Sequence, residues 1–132
     1  AAQSGVMDGP AAQEQPAAES ARSLRLKKRK QFLFLASRGR KAPVPGLVLQ
    51  LFRRPDTDVA RVGFTVTKKV GNSVVRNRVR RRLREVVRIV EADTPLNGLD
   101  LVLIGRSATI NRPFVALVAD FRKALALCQR DS

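Results

Sequence analysis

Lys68-Lys69-Val70-Gly71-Asn72-Ser73-Val74-Val75-Arg76-Asn77-Arg78-Val79-Arg80-Arg81-Arg82-Leu83-Arg84-Glu85 carries the densest positive charge in the chain. From Lys68 to Arg88 there are nine Lys/Arg and one acid, Glu85. A guanidinium is planar, always charged and forks onto phosphate oxygens. Charges of one sign at this density suit a polyanion, whereas a face meant only for solubility mixes signs. The acids between Leu24 and Cys128 are Asp56, Asp58, Glu85, Glu91, Asp93, Asp100 and Asp120. None form a carboxylate pair of the kind a two-metal nuclease needs. The chain has no His, so the commonest general base and metal ligand is missing. Gly71-Asn72-Ser73 lacks the glycine spacing and the Lys-Ser/Thr ending of a phosphate-binding loop. This chemistry is that of a binder, with no protein catalytic residue and no protein metal site.

The basic stretch must be positioned by a turn and a helix. Gly71 is expected to take the φ > 0 geometry of a tight turn, and Asn72 or Ser73 to cap the helix that follows. At about 100° per residue, Val75, Val79, Leu83, Val86, Val87 and Val90 share one arc and are expected to be buried. Asn77, Arg80, Arg81, Arg84 and Arg88 lie opposite, flanked by Arg78 and Arg82. The helix is predicted to run to about Glu91 and to be broken at Asp93–Gly98.

Net charge over 132 residues is +15, with a pI near 11.7, which points to nucleic acid or an anionic surface. No apolar run approaches 18 residues, the length that spans a bilayer, and no secretory segment is visible, so a cytoplasmic protein with no membrane partner is expected. Cys128 is the single cysteine and reads as a small apolar residue on a helix, with no internal disulfide. Residues 1–23 hold three acids, one basic residue (Arg22) and no periodic apolar pattern. They read as a disordered tail. The folded domain is then 24–132, with 25 Lys/Arg against 8 acids.

Within it, Lys28–Ser37 is predicted as a short helix. Phe32 and Leu35 share a face, which leaves Phe32 as core or as a stacking surface for bases. Arg38–Gly46, with two Gly and two Pro, reads as a loop. Leu47–Phe52 and Val59–Thr67 read as strands hairpinned across a turn at Pro55–Asp58. In the second, Val62, Phe64 and Val66 face one way, with Arg61, Gly63, Thr65 and Thr67 facing the other. Leu99–Gly105 is continuously apolar apart from Asp100 and reads as a fully buried strand. Arg106–Arg112 is a loop, and a last helix follows Pro113. The expected fold is α/β (α+β): a two-layer sandwich in α-β-β-α-β-α order, helices on one side of a mixed sheet and the Thr65/Thr67 face left partly open.

The segment Arg61–Glu85, and above all the triplet Arg76-Asn77-Arg78, closely resembles the protein subunit of bacterial ribonuclease P. Arg25-Leu26-Lys27-Lys28 and Asp100-Leu101-Val102-Leu103-Ile104 are similar to it as well, so the resemblance covers about Leu24 to Cys128. It implies that the protein partners a catalytic RNA and precursor tRNA, that catalysis belongs to that RNA with its Mg²⁺, and that the protein assists removal of the 5′ leader. Carried over, the RNA surface is Lys68, Lys69, Asn72, Arg76, Asn77, Arg78, Arg80, Arg81, Arg82 and Arg84. The leader cleft is Phe32, Val48, Gln50, Arg61 and Thr65. The family also implies a left-handed βαβ crossover, against the usual hand. Two departures weaken stacking in the cleft: Ala36 stands where the family often has a second aromatic, and Gln50 where it often has Tyr. A structural ribosomal protein is the rival reading, since that class shares small size, basicity and sheet-plus-helix folds. DNA is not expected: a basic region that grips DNA continues into a dimer zipper, and this helix ends without heptads.

Overall fold

The Leu99–Gly105 run forms the centre of the sheet, as a strand apolar at every position but Asp100 requires. The computed structural model describes residues 23–130, so the disordered tail expected for residues 1–23 lies, Ser23 apart, outside the described residues. The elements in order are β1 (Leu24–Arg25), α1 (Arg29–Arg38), β2 (Arg40–Val44), β3 (Leu47–Arg53), β4 (Arg61–Thr65), α2 (Ser73–Asp93), β5 (Leu99–Gly105), a 3₁₀ turn (Ser107–Ile110) and α3 (Phe114–Arg130). The sheet is mixed, in the order β1-β4-β5-β3-β2. β5 runs parallel to β4 and antiparallel to β3. The α+β class expected from the sequence is the one observed.

Three local expectations are corrected. The segment read as the Arg38–Gly46 loop contains β2, antiparallel to β3. Pro43 is tolerated because β2 is an edge strand, where a missing N–H breaks no interior ladder. The expected β3–β4 hairpin does not form, because β5 lies between the two strands. Arg54 holds their connection open, donating to the carbonyls of Asp58 (3.0 Å) and Val59 (2.9 Å) and to the Asp56 carboxylate. Finally, Leu24–Arg25 is a short strand parallel to β4, formed by residues that carry no strand pattern of their own.

The helices sit on both faces. Val79, Leu83, Val86, Val87 and Val90 of α2 join Leu117, Phe121, Ala124 and Leu125 of α3 over the inward residues of the sheet, Leu49, Leu51, Val62, Leu101 and Leu103. On the other face α1 seats Leu35 with Leu26 and Val102 in a second, smaller cluster, and Phe32, Phe52 and Ile104 pack on it. The expectation of helices on one side alone is thus corrected, and the face expected to stay partly open is partly roofed by α1.

Candidate nucleic-acid interface

Asn72 caps α2, its Oδ1 accepting from the Val75 N–H at 3.0 Å. Gly71 does not take the left-handed conformation expected of it; among the described residues that geometry belongs to Gly98, with φ +81°. Gly71 is needed for another reason, since a Cβ there would lie 2.8 Å from Val75 Cγ1. The turn before the cap closes with the Gly71 N–H donating to the Lys68 carbonyl at 3.2 Å, and leaves Lys68 and Lys69 exposed.

From this cap the helix divides as its periodicity requires. Asn77, Arg78, Arg81, Arg84 and Arg88 are exposed, and Arg80 is half-buried and donates to Asn77 Oδ1 at 3.0 Å. Lys68, Lys69, Asn77, Arg78, Arg81 and Arg84 thus make one exposed strip. Arg88 is paired with Glu85, whose carboxyl it holds below the usual range by hydrogen bonding. Two residues of the expected surface are turned to internal work. Arg76 is half-buried, its Nε donating to the Gly71 carbonyl at 3.2 Å. Arg82 is half-buried and donates to the Arg112 carbonyl, which fastens α2 to the loop before α3. Neither commitment was readable from spacing, because both acceptors are main-chain carbonyls.

The strand residues expected to form the leader cleft are ordered by sheet register on the α1 face. Val48, Ile104 and Thr65 form one cross-strand row, and Gln50, Val102 and Gly63 the next. Val48, Ile104 and Thr65 are half-buried, while Gln50 is buried. Phe32 lies over Gly63, where a Cβ would meet its ring at 2.6 Å, so it is half-buried packing and half-open ring. The third row, Phe52, Asp100 and Arg61, holds a charge network. Asp100 is buried and accepts from Arg54 Nη1 (2.6 Å), Arg61 Nε (2.8 Å) and Arg61 Nη2 (2.7 Å). Hydrogen bonding to Asp100 raises the Arg61 pKa above the ordinary guanidinium value. The register places Val48, Gln50 and Thr65 on one face, α1 sets Phe32 over it at Gly63, and Asp100 ties Arg61 down beside them. The sequence missed Ile104, which joins Val48 to Thr65, and the edge-to-face pair Phe34–Phe52, centroids 4.9 Å apart. An alternating pattern gives a face but not a neighbour.

Among the described residues no three His, Cys, Asp or Glu come together as a metal-ligand group, and no helix is long and apolar enough to cross a membrane.

Comparison with known proteins decides between an RNA-processing subunit and an unrelated basic domain. The family model described as Ribonuclease P matches residues 21–129. The chain belongs to the ribonuclease P protein family. A ribonuclease P protein component from Gluconacetobacter diazotrophicus is 68% identical over 104 residues, covering 79% of this chain and 90% of that relative. One from Paramagnetospirillum magneticum is 52% identical over 110 residues, covering 80% and 83%. Among solved structures, the RNase P protein from Thermotoga maritima aligns with a TM-score of 0.65 at 25% identity, covering 80% of this chain and 96% of that one. The RNase P protein of Staphylococcus aureus aligns with a TM-score of 0.67 at 23% identity, a likeness of fold. The family match spans α2, α1 and the whole sheet, so the arginine strip and the sheet face both lie within the ribonuclease P protein domain.

Proposed function

We propose that this chain is the protein subunit of a ribonuclease P ribonucleoprotein, binding the catalytic RNA and the 5′ leader of precursor tRNA in the cytoplasm and assisting endonucleolytic removal of the leader. The observation that carries the reading is the exposed, one-sign strip of α2, held rigid by a capped helix with its other face in the core. Exposed arginines on a helix that cannot roll present guanidiniums at fixed spacing to a phosphate backbone. Neutralising those phosphates releases counterions, which drives binding. Lys68 and Lys69 extend the strip past the helix start.

The sheet face supplies the second contact. Phe32 offers part of a ring, and Val48, Ile104 and Thr65 a shallow apolar floor, on which unpaired bases can lie without base-edge readout. A leader is single-stranded and a mature tRNA lacks it, so this face separates substrate from product. Hydrolysis is assigned to the RNA with its Mg²⁺.

Phe32→Leu tests the leader contact while keeping an apolar side chain over Gly63. On the assembled ribonucleoprotein it should weaken precursor tRNA binding by about 1–3 kcal/mol, the range for one stacked base, and leave mature tRNA binding unchanged. Equal weakening for both tRNAs would remove Phe32 from the leader path.

A further inference from the structure

Between the β1–β4 edge of the sheet and α2 lies an open cavity of about 360 Å³, within the size range of ligand sites. Its inner wall is apolar: Val62 and Val87 are buried, and the ring of Phe64 is half-buried beside them. Its outer wall is cationic, formed by Arg25, Arg81 and Arg84, all exposed. Arg25 Cζ stands 5.9 Å from the Phe64 ring centroid, so a planar cation already lies over that ring, in the place a base would take. Among the described residues neither Arg81 nor Arg84 has a carboxylate within ion-pair distance. Desolvation by the surrounding side chains, and then the charges of Arg25, Arg81 and Arg80, push Arg84 below the ordinary guanidinium value. Like charges held this close are relieved by an anion. Two acids line the far side of the cavity together with their partners: Glu85 is paired with Arg88, and Glu91 Oε1 accepts from Ser23 Oγ at 3.2 Å. An anion therefore enters from the Arg25–Arg84 side.

An apolar wall with an aromatic face, edged on one side by three arginines, matches the two halves of a nucleotide. We propose that the cavity takes one unpaired nucleotide of the RNA strand lying along α2, its base against Phe64 and its phosphate on Arg25, Arg81 and Arg84. The proposal rests on the reading of α2 as the RNA-binding helix. It makes that helix a place where a strand is anchored by insertion as well as by charge.

Isotope-labelled protein titrated with adenosine 5′-monophosphate, adenosine and inorganic phosphate tests this by amide NMR. The monophosphate should give saturable shifts at Val62, Phe64 and Val87 and bind more tightly than phosphate. Arg84→Ala, an exposed change, should lower its affinity about tenfold, the scale of one charged hydrogen bond. Phe64→Leu should lower affinity for the monophosphate and leave that for phosphate unchanged. Phosphate binding as tightly as the monophosphate, or no saturable shift at those three amides, would overturn the proposal. In a second arm, equilibrium dialysis follows the labelled monophosphate as partner RNA is added. Its release is expected, and its retention at full RNA occupancy would overturn the assignment to an RNA strand. Loss of the nucleotide result with RNA affinity intact removes the cavity alone; a protein that fails to bind the RNA at all removes the reading beneath it.

Discussion

Replacing Asp100 by Ala should lower stability by about 3 kcal/mol, the lower end of the cost of breaking a buried ion pair by deleting one partner. The side chain of Asp100 is 8% exposed, as is that of Arg54, and both carboxylate oxygens are engaged by guanidinium groups. Deletion leaves Arg54 buried with only the exposed Asp56 as counter-charge. The melting temperature should fall by on the order of 10 °C, read by circular dichroism. Asp100→Asn, which keeps one acceptor, should fall less. A change of under about 2 °C for Asp100→Ala would show that the network does not hold the Arg54–Ala60 connection. A released Arg61 should also raise affinity for any single strand on the sheet face, because the network now ties its charge down.

The triple variant Arg78→Gln, Arg81→Gln, Arg84→Gln should lose about a thousandfold in RNA affinity, three charged contacts at the low end of their range. In filter binding across a salt series, the slope of log K against log salt should fall by about two to three. The melting temperature should stay within about 2 °C of the wild type, since surface changes away from packing are small. An unchanged slope would take this strip out of the interface. Arg82→Gln is the contrast: its guanidinium serves the Arg112 carbonyl, so it should cost stability and leave the slope intact.

Why some of this was legible follows from the range of the interactions. The two faces of α2 are a local property, fixed by 3.6-residue periodicity, and Val79, Leu83, Val86, Val87 and Val90 are buried as that periodicity demands. β5 announces itself because both its faces are covered, which leaves no polar alternation. β2 stays hidden because Pro43 and Gly46 mark turns as readily as an edge strand, and only Ala42 and Val44 face the core. Strand order is a long-range property: nothing in β3 or β4 says that β5 will enter between them. The site divides the same way. The exposed arginines were readable, whereas the internal roles of Arg61, Arg76 and Arg82 depend on Asp100, the Gly71 carbonyl and the Arg112 carbonyl. The position of Phe32 depends on how α1 packs over Gly63, a contact between distant segments that spacing along α1 does not contain.

On the proposed function, the arginine strip docks on the RNA of a ribonuclease P ribonucleoprotein. The most direct measurement is to purify the chain from its host and sequence the RNA that remains bound. One structured RNA should be recovered which, recombined with the protein and Mg²⁺, cuts precursor tRNA at the 5′ end of the mature sequence, while the protein alone cuts nothing. Recovery of ribosomal RNA instead, or cleavage by protein freed of RNA and contaminating nuclease, would contradict it.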